Sequence, residues 1–479
     1  MKQRTKNISW ALAASGVLLA SCQTQKRSFT LPENNTALAI ETASRDTLSL
    51  ASFDSIFQDE HLKHLIDTAL QNNFDLIAAT QRLQAASANM MIAKNAWLPT
   101  VNAVASAGVD RYGDYTLNGV GNYDTNLSPN INEKQRIPTP HTPDYFLGIR
   151  SSWEVDIWGK IKQKKQSAIA QFFATQEGRR LLQTQVVAGI MNIYYELQAL
   201  DNELEIIRSN VKLQDAALAT VHIQKAGGRA TELAVQQFQA QLLSTKALEY
   251  NVLQEITALE NQLNALLGRL PRTITRSKLS VQQSTLPTLQ QGIPASLLLN
   301  RPDIQQAEWQ LKAAKADVNA ARLAFLPSLS ITPYVGFNAF RPEVLFQTPA
   351  SLAWGVLGGL TAPIFNQKQL KGNFNQQKAN AFAMYYGYQQ TIVNSYQEVA
   401  TQLNKVSNQQ EAFKLKQQEV MVLQNAVSTA NTLYSTGYAS YLEVITAQKS
   451  VLEAELTMIN TRRQVFQGLV QLYRALGGG

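Results

Sequence analysis

An internal duplication constrains this chain more than any other feature. Residues 72–99 read NNFDLIAATQRLQAASANMMIAKNAWLP, and residues 300–327 read NRPDIQQAEWQLKAAKADVNAARLAFLP. Without a gap, Asp75 aligns with Asp303, Ala79 with Ala307, Leu83 with Leu311, Ala86 with Ala314, Leu98 with Leu326 and Pro99 with Pro327. One supersecondary unit is therefore built twice, and the stretch after each Leu-Pro decides the fold.

Ahead of each Leu-Pro the apolar spacing is helical. Leu62, Leu65, Ile66, Ala69 and Leu70 recur at that spacing, and after a break at Asn72-Asn73 so do Leu76, Ala79, Leu83 and Ala86. After Pro99 the period falls to two. Val101, Ala103, Ala105, Ala107 and Val109 alternate with Asn102, Ser106, Gly108 and Asp110, and Tyr145, Leu147, Ile149, Trp153 and Val155 alternate with Gly148, Arg150, Ser152 and Glu154. Such alternation predicts strands with one apolar and one wet face, at about residues 100–112 and 144–158, with a long polar loop over 111–143. The second copy predicts strands at about 327–340 and 350–364, with Pro333 awkward inside the first of them.

From Lys160 the helical period returns. Ile190, Leu197, Leu204, Val211 and Leu218 stand seven apart, accompanied by Ile193, Leu200 and Ile207, which is a coiled-coil seam. Gly227-Gly228 breaks it. A second helix then carries Val252, Ile256, Leu259, Leu263 and Leu266 up to Gly268. The pattern predicts an antiparallel helical hairpin over 160–268, and a 60-residue helix is on the order of 90 Å long. A second hairpin over 367–476 repeats the seam in Val399, Val406, Phe413, Val420, Val427 and Tyr434, and Gly437 takes the place of Gly228. The organisation is thus a first repeat at 61–270, a connector at 271–299 and a second repeat at 300–476.

The N-terminus reads as an export signal. Lys2, Arg4 and Lys6 precede an apolar run from Ile8 to Ala20, too short for a mature transmembrane helix, and the run ends Leu19-Ala20-Ser21-Cys22. This resembles the bacterial lipobox, which makes residues 1–21 a signal peptide, Cys22 the lipidated first residue and 22–60 a tether. Gln23 in place of Asp favours the outer membrane by the same resemblance. Cys22 is the sole cysteine, so disulfides and cysteine zinc sites within the chain are excluded. Among the histidines only His61 and His64 lie close together, and a solvated helix face accounts for them. The net charge of +8 includes no basic block, and no nucleic-acid partner is expected. Apart from the covalent lipid no cofactor is expected, and with no P-loop and no triad arrangement neither is an enzyme.

Four strands cannot close in lipid. An open sheet leaves edge groups unsatisfied, and membrane barrels need at least about eight strands. The chain must therefore oligomerise, and the strand count alone leaves two, three or four copies open.

The lipobox, Leu65-Ile66, Ala69-Leu70 and Asn73, the segment Asn300-Arg301-Pro302-Asp303, the run Ser152-Trp153-Glu154-Val155-Asp156 with Gly159, and the run Leu360-Thr361-Ala362-Pro363-Ile364-Phe365 occur in one order. Together with the two glycine-centred turns they make the chain resemble the TolC family of outer membrane efflux factors, in its lipidated OprM-like branch. The resemblance implies an internally duplicated α plus membrane β-barrel fold, with four strands per chain in a homotrimeric twelve-stranded barrel and hairpins forming a periplasmic tunnel. It implies a passive conduit for small molecules, a periplasmic adaptor (membrane fusion protein) and an inner-membrane pump of RND type. It places the hairpin tips at Gly227, Gly228, Arg229, Gly437 and Tyr438, where adaptors dock. It places a periplasmic gate at Tyr434 and Glu443, with Thr446 where a second acidic residue is usual. A conduit for metal-ion efflux or type I secretion would use the same parts. A lipidated coiled-coil envelope scaffold without a pore is the alternative of another class.

Overall fold

The structure is a computed structural model, and the residues described in it are 29–31, 59–277 and 298–478. They divide into two compact units, one of residues 29–31, 88–170 and 311–385, the other of 59–87, 171–277, 298–310 and 386–478.

The first unit holds an antiparallel sheet of β1 (Thr100–Arg111), β2 (His141–Val155), β3 (Ser328–Ala339) and β4 (Leu352–Thr361), in the order β1-β2-β3-β4. Its register sets like beside like. Ala103 lies opposite Ile149, Ile149 opposite Val335, and Val335 opposite Trp354; the neighbouring row is Ala105, Leu147, Phe337 and Leu352. A one-residue slip in any strand would turn its apolar set to the other face. The opposite face carries rows such as Asn102, Arg150, Tyr334 and Gly355. Among the described residues nothing covers the apolar face, with Trp354 74% and Leu360 68% exposed. Pro333 does not shift the register. Pairing of β2 with β3 stops after Arg150–Tyr334 and resumes at Trp153–Ile331 with no residue inserted, as expected where a proline lacks its N–H.

The connection expected as one loop over 111–143 differs in two respects. β2 already begins at His141, and helix α3 (Leu117–Thr125) interrupts the loop. Gly119 and Gly121 hide this helix in the sequence. Two local devices stabilise it: the Thr116 hydroxyl caps the Gly119 N–H at 3.1 Å, and the Asn126 amide both donates to and accepts from Ile137 at 2.8 Å.

The other long helices are α1 (Glu60–Asn72), α2 (Phe74–Asn95), α4 (Lys160–Ala226), α5 (Glu232–Leu266), α6 (Pro302–Leu323), α7 (Gln367–Thr436) and α8 (Tyr441–Ala475). The heptad positions do the packing. Ile190, Leu197, Leu204, Ile193, Leu200 and Ile207 of α4 are buried, as are Val399, Val406, Phe413 and Val420 of α7. Gly468 of α8 sits so close to α7 that an added methyl would lie 2.7 Å from Val406 Cγ2.

The duplicated opening residues have a structural task. Asn73, buried between α1 and α2, donates through Nδ2 to the Leu266 carbonyl at 2.8 Å, and its Oδ1 caps the Leu76 N–H at 3.1 Å. Its counterpart in the duplication, Arg301, donates through Nη1 to the Ala475 carbonyl at 2.5 Å. Leu266 and Ala475 are the last residues of α5 and α8. Each repeat thus begins by satisfying a carbonyl that its own hairpin leaves unpaired at a helix C-terminus. Arg301 is additionally gripped by Asp303 at 2.8 and 3.0 Å and by Glu398 at 3.0 Å, while Arg474 pairs with Glu398.

Candidate channel strands and hairpin tips

The run Ser152–Gly159 ends β2 and starts α4, and four of its side chains have partners that explain them. Trp153 Nε1 donates to the Trp97 carbonyl at 2.8 Å, tying β2 to the approach of β1. Glu154 pairs with Lys160. Asp156 accepts from the N–H groups of Ile161 at 2.9 Å and Lys162 at 2.8 Å, so a carboxylate caps the positive end of the longest helix of the first repeat. Trp158 Nε1 donates to the Pro327 carbonyl at 2.7 Å, which links the two Leu-Pro copies to one sheet. Sequence periodicity missed these anchors. The available signal was placement: Trp97 and Trp158 lie a few residues outside strand ends and are exposed, where amphipathic rings meet a membrane–water boundary.

The two tips are copies in geometry. After α4, the Arg229 N–H reaches the Gln224 carbonyl at 2.8 Å and Gly228 reaches Lys225 at 2.9 Å; after α7, Tyr438 reaches Leu433 at 2.9 Å and Gly437 reaches Tyr434 at 3.2 Å. Both are Schellman turns closed by a left-handed glycine, Gly228 at φ +74 and Gly437 at φ +84. Gly227 precedes the first of these without needing positive φ. The returning helices are capped by Thr231 on Ala234 at 3.2 Å and by Ser440 on Leu442 at 3.3 Å.

Tyr434 packs with Val221, Phe238 and Val444 in one apolar cluster that joins both hairpins at their tips, and burial raises its hydroxyl pKa. Glu443 is fully exposed and accepts from the Ser440 hydroxyl, which holds its carboxyl below the ordinary range. The Ser440 hydroxyl thus accepts from the Leu442 N–H and donates to Glu443, so Glu443 has a local task at the helix cap of the tip. Tyr438, Ile223, Leu233 and Leu442 form an exposed apolar rim, with Tyr438 85% exposed, and Arg229 is exposed beside them.

Cys22 and the signal segment lie outside the described residues. His61 and His64 are exposed on α1, and among the described residues no group of three or more His, Cys, Asp or Glu side chains comes together.

The sequence matches the family described as Outer membrane efflux protein over residues 65–269 and 293–478. The cation efflux system protein CusC of Escherichia coli (strain K12) is 29% identical over 439 residues, which is 91% of this chain and 90% of that protein. The solvent efflux pump outer membrane protein SrpC of Pseudomonas putida is 28% identical over 432 residues, 90% of this chain and 88% of that one. The solved structure of the outer-membrane channel OprN superposes with a TM-score of 0.79 at 25% identity, covering 95% of this chain and 97% of that chain. Matched across both repeats, the chain belongs to the outer membrane efflux protein family and is a TolC-like efflux channel of the outer membrane.

Proposed function

We propose that three copies of this chain close one twelve-stranded barrel, forming the passive outer-membrane conduit of a tripartite efflux system. One observation carries this reading. The four-stranded sheet has one continuous apolar face, and among the described residues its outer strands β1 and β4 each pair on one side only. In lipid such edges need partners, and the β4 of one copy beside the β1 of the next supplies them. The strands are 10 to 15 residues long, enough to cross a bilayer with tilt.

The family resemblance and the tips supply the remaining parts. A periplasmic adaptor docks on the exposed rim around Gly227, Gly228, Arg229, Gly437 and Tyr438, and an inner-membrane pump of RND type drives transport, so the chain has no enzymatic task. Acylated Cys22 adds an anchor in the outer-membrane lipid. Three copies of Glu443 converge as a gate, where like carboxylates repel or hold cations, with Tyr434 bracing the closed tips. CusC is named for cations and SrpC for solvent, so related channels serve unlike cargo, and we assign cargo selection to the pump.

Cysteine pairs placed on β1 and β4 test the reading, because Cys22 is the sole native cysteine. The expected product is a cross-linked ladder from outer membranes that ends at three chains, from a heat-sensitive oligomer that conducts in planar bilayers. A ladder ending at two or four, or monomers alone, would refute it.

A further inference from the structure

The wet face of the sheet carries a feature that conduction through a passive tube does not require. The charged side chains of the strands cluster at strand ends: Asp110 and Arg111 close β1, Asp144 lies near the start of β2 and Glu154 near its end. Arg150 is the exception. It stands five residues from the nearer end of β2, in the row of Asn102 and Tyr334, and β3 and β4 contain no charged residue. Glu154 is paired with Lys160, and Asp144 accepts from Asn338 Nδ2 at 2.8 Å. Among the described residues no carboxylate pairs with Arg150. Asp144 is six residues away along β2, about 20 Å at strand rise, which exceeds the screening length of about 8–10 Å in physiological salt.

Arg150 is also held in place. Its guanidinium carbon lies 4.4 Å above the ring centroid of Phe146, within reach of a cation–π attraction. Phe146 is only 4% exposed, although its position belongs to the wet face. Glycines make the room. A methyl on Gly148 or on Gly336 would lie 2.9 Å from Phe146 Cζ, and each would also collide with backbone at 2.4–2.6 Å. Tyr334 stands edge-on to Phe146 at 6.2 Å, and a methyl on Gly355 would lie 2.7 Å from its ring. The guanidinium therefore rests on an aromatic plate, at the wall of an open cleft of about 440 Å³ that also reaches Thr332 and Leu357.

We propose that Arg150 is the anion-attracting position of the barrel wall, transiently pairing with anionic groups of permeating solutes. The proposal rests on the reading that these strands close a pore with their polar face inward. Three copies then set three fixed positive charges at one level of a low-dielectric wall, which concentrates anions there. Stacking on Phe146 keeps the planar fork oriented, and its five donors suit carboxylates and phosphates as well as chloride.

The test measures reversal potentials of the purified full-length protein in planar bilayers under a KCl gradient. Arg150→Gln should lower the chloride-to-potassium permeability ratio at least about threefold, the scale of one unit charge per copy within a screening length of the ion path. Arg150→Glu should lower it further, Arg150→Lys should retain most of it, and Arg150→Met is a second neutral variant should glutamine not assemble. If the variants form heat-sensitive oligomers of normal conductance with an unchanged ratio, the proposal is overturned and the pore reading stands. If the wild type forms no pore at all, both are overturned.

Discussion

Replacing Arg301 with alanine tests how the second repeat is fastened. The side chain is 7% exposed and makes four charge-assisted contacts: two to Asp303, one to Glu398 and one to the Ala475 carbonyl. Breaking a buried ion pair from one side costs about 3–5 kcal/mol, because the partner is left uncompensated. Here the lower end applies. Asp303 still accepts the Ile304 N–H at 2.9 Å, and Glu398 still pairs with Arg474, so neither carboxylate is stranded. The expected loss is thus about 3 kcal/mol. With unfolding entropies of about 2 cal/mol/K per residue, melting of the whole chain would shift by about 3 °C, and melting of the helical unit alone by about 5 °C. Loss of helical circular dichroism on heating in one detergent would read this out, compared as midpoints because unfolding of such a protein is not reversible by default. Arg301→Lys, which keeps the charge and loses the fork, should fall between alanine and wild type. Asn73→Ala removes a neutral hydrogen bond and a helix cap, about 1–2 kcal/mol, and should shift less than Arg301→Ala. A shift below about 1 °C for Arg301→Ala, or a larger one for Asn73→Ala, would refute the idea that a buried ionic hub closes the second repeat.

At the tip, Glu443→Gln keeps an acceptor for the Ser440 hydroxyl and removes the charge, whereas Glu443→Ala removes both. A charge-based gate predicts equal increases in single-channel conductance, and an increase for alanine alone would leave only the capping role. Glu203 of α4 faces a cavity of about 280 Å³ that it shares with Glu255 and Arg463; burial first, and then the Glu255 charge, raises its pKa. A raised carboxyl pKa means that the folded state binds the proton more tightly, so stability present below the ordinary carboxylate range is lost as pH rises through the raised value. Glu203→Gln should therefore melt higher than wild type at about pH 8, with the difference gone by about pH 4. Gly268→Ala should destabilise far more than Gly437→Ala: both have positive φ, but a methyl at Gly268 meets the Asn72 carbonyl at 2.3 Å while one at Gly437 meets open space. The tip substitution should cost only the left-handed backbone penalty of about 1 kcal/mol in chemical denaturation.

The fold class was legible because period is a property of residue type and spacing. The alternation in β1 and β2 and the heptads from Ile190 to Leu218 and from Val399 to Val420 need no tertiary context to be read. The sheet register accords with burying one face, which explains why Pro333 moves nothing. Short-range chemistry was less legible. Helix α3 depends on the Thr116 cap and the Asn126–Ile137 clasp, not on an apolar stripe. Trp153 and Trp158 stand out in the sequence, but their acceptors are carbonyls at Trp97 and Pro327, and a carbonyl leaves no mark in a sequence. Likewise Glu443 reads as a charge near a glycine turn, and only the structure places the Ser440 hydroxyl on it.

The pair Asn73 and Arg301 shows the limit most clearly. Alignment of the repeats is carried by identities such as Asp75 with Asp303, and passes over a position where the residues differ. Yet that position makes the equivalent contact in both copies, to Leu266 in one and to Ala475 in the other. What the duplication preserves is an acceptor, the carbonyl at the end of a long hairpin, and any donor of the right reach can meet it. The surroundings explain why the donors diverged. Behind Leu266 the chain covers its own helix end: Asn264 Nδ2 holds the Arg272 carbonyl at 2.6 Å, Ile274 is buried, and Arg276 clamps Asp201 and Glu260 at 2.6 Å. A neutral amide completes that site. At Ala475 the fastening is instead the Arg301, Asp303, Glu398 and Arg474 network, so one residue and its carboxylates supply what a covering segment supplies in the first repeat. Moving the amide to the second site leaves Glu398 with one partner fewer, and moving the guanidinium to the first buries a charge beside Leu266 with Asp75 in the place of Asp303 but Gly189 where the second repeat has Glu398. Neither swap should be tolerated, although the two residues occupy one position of one repeat.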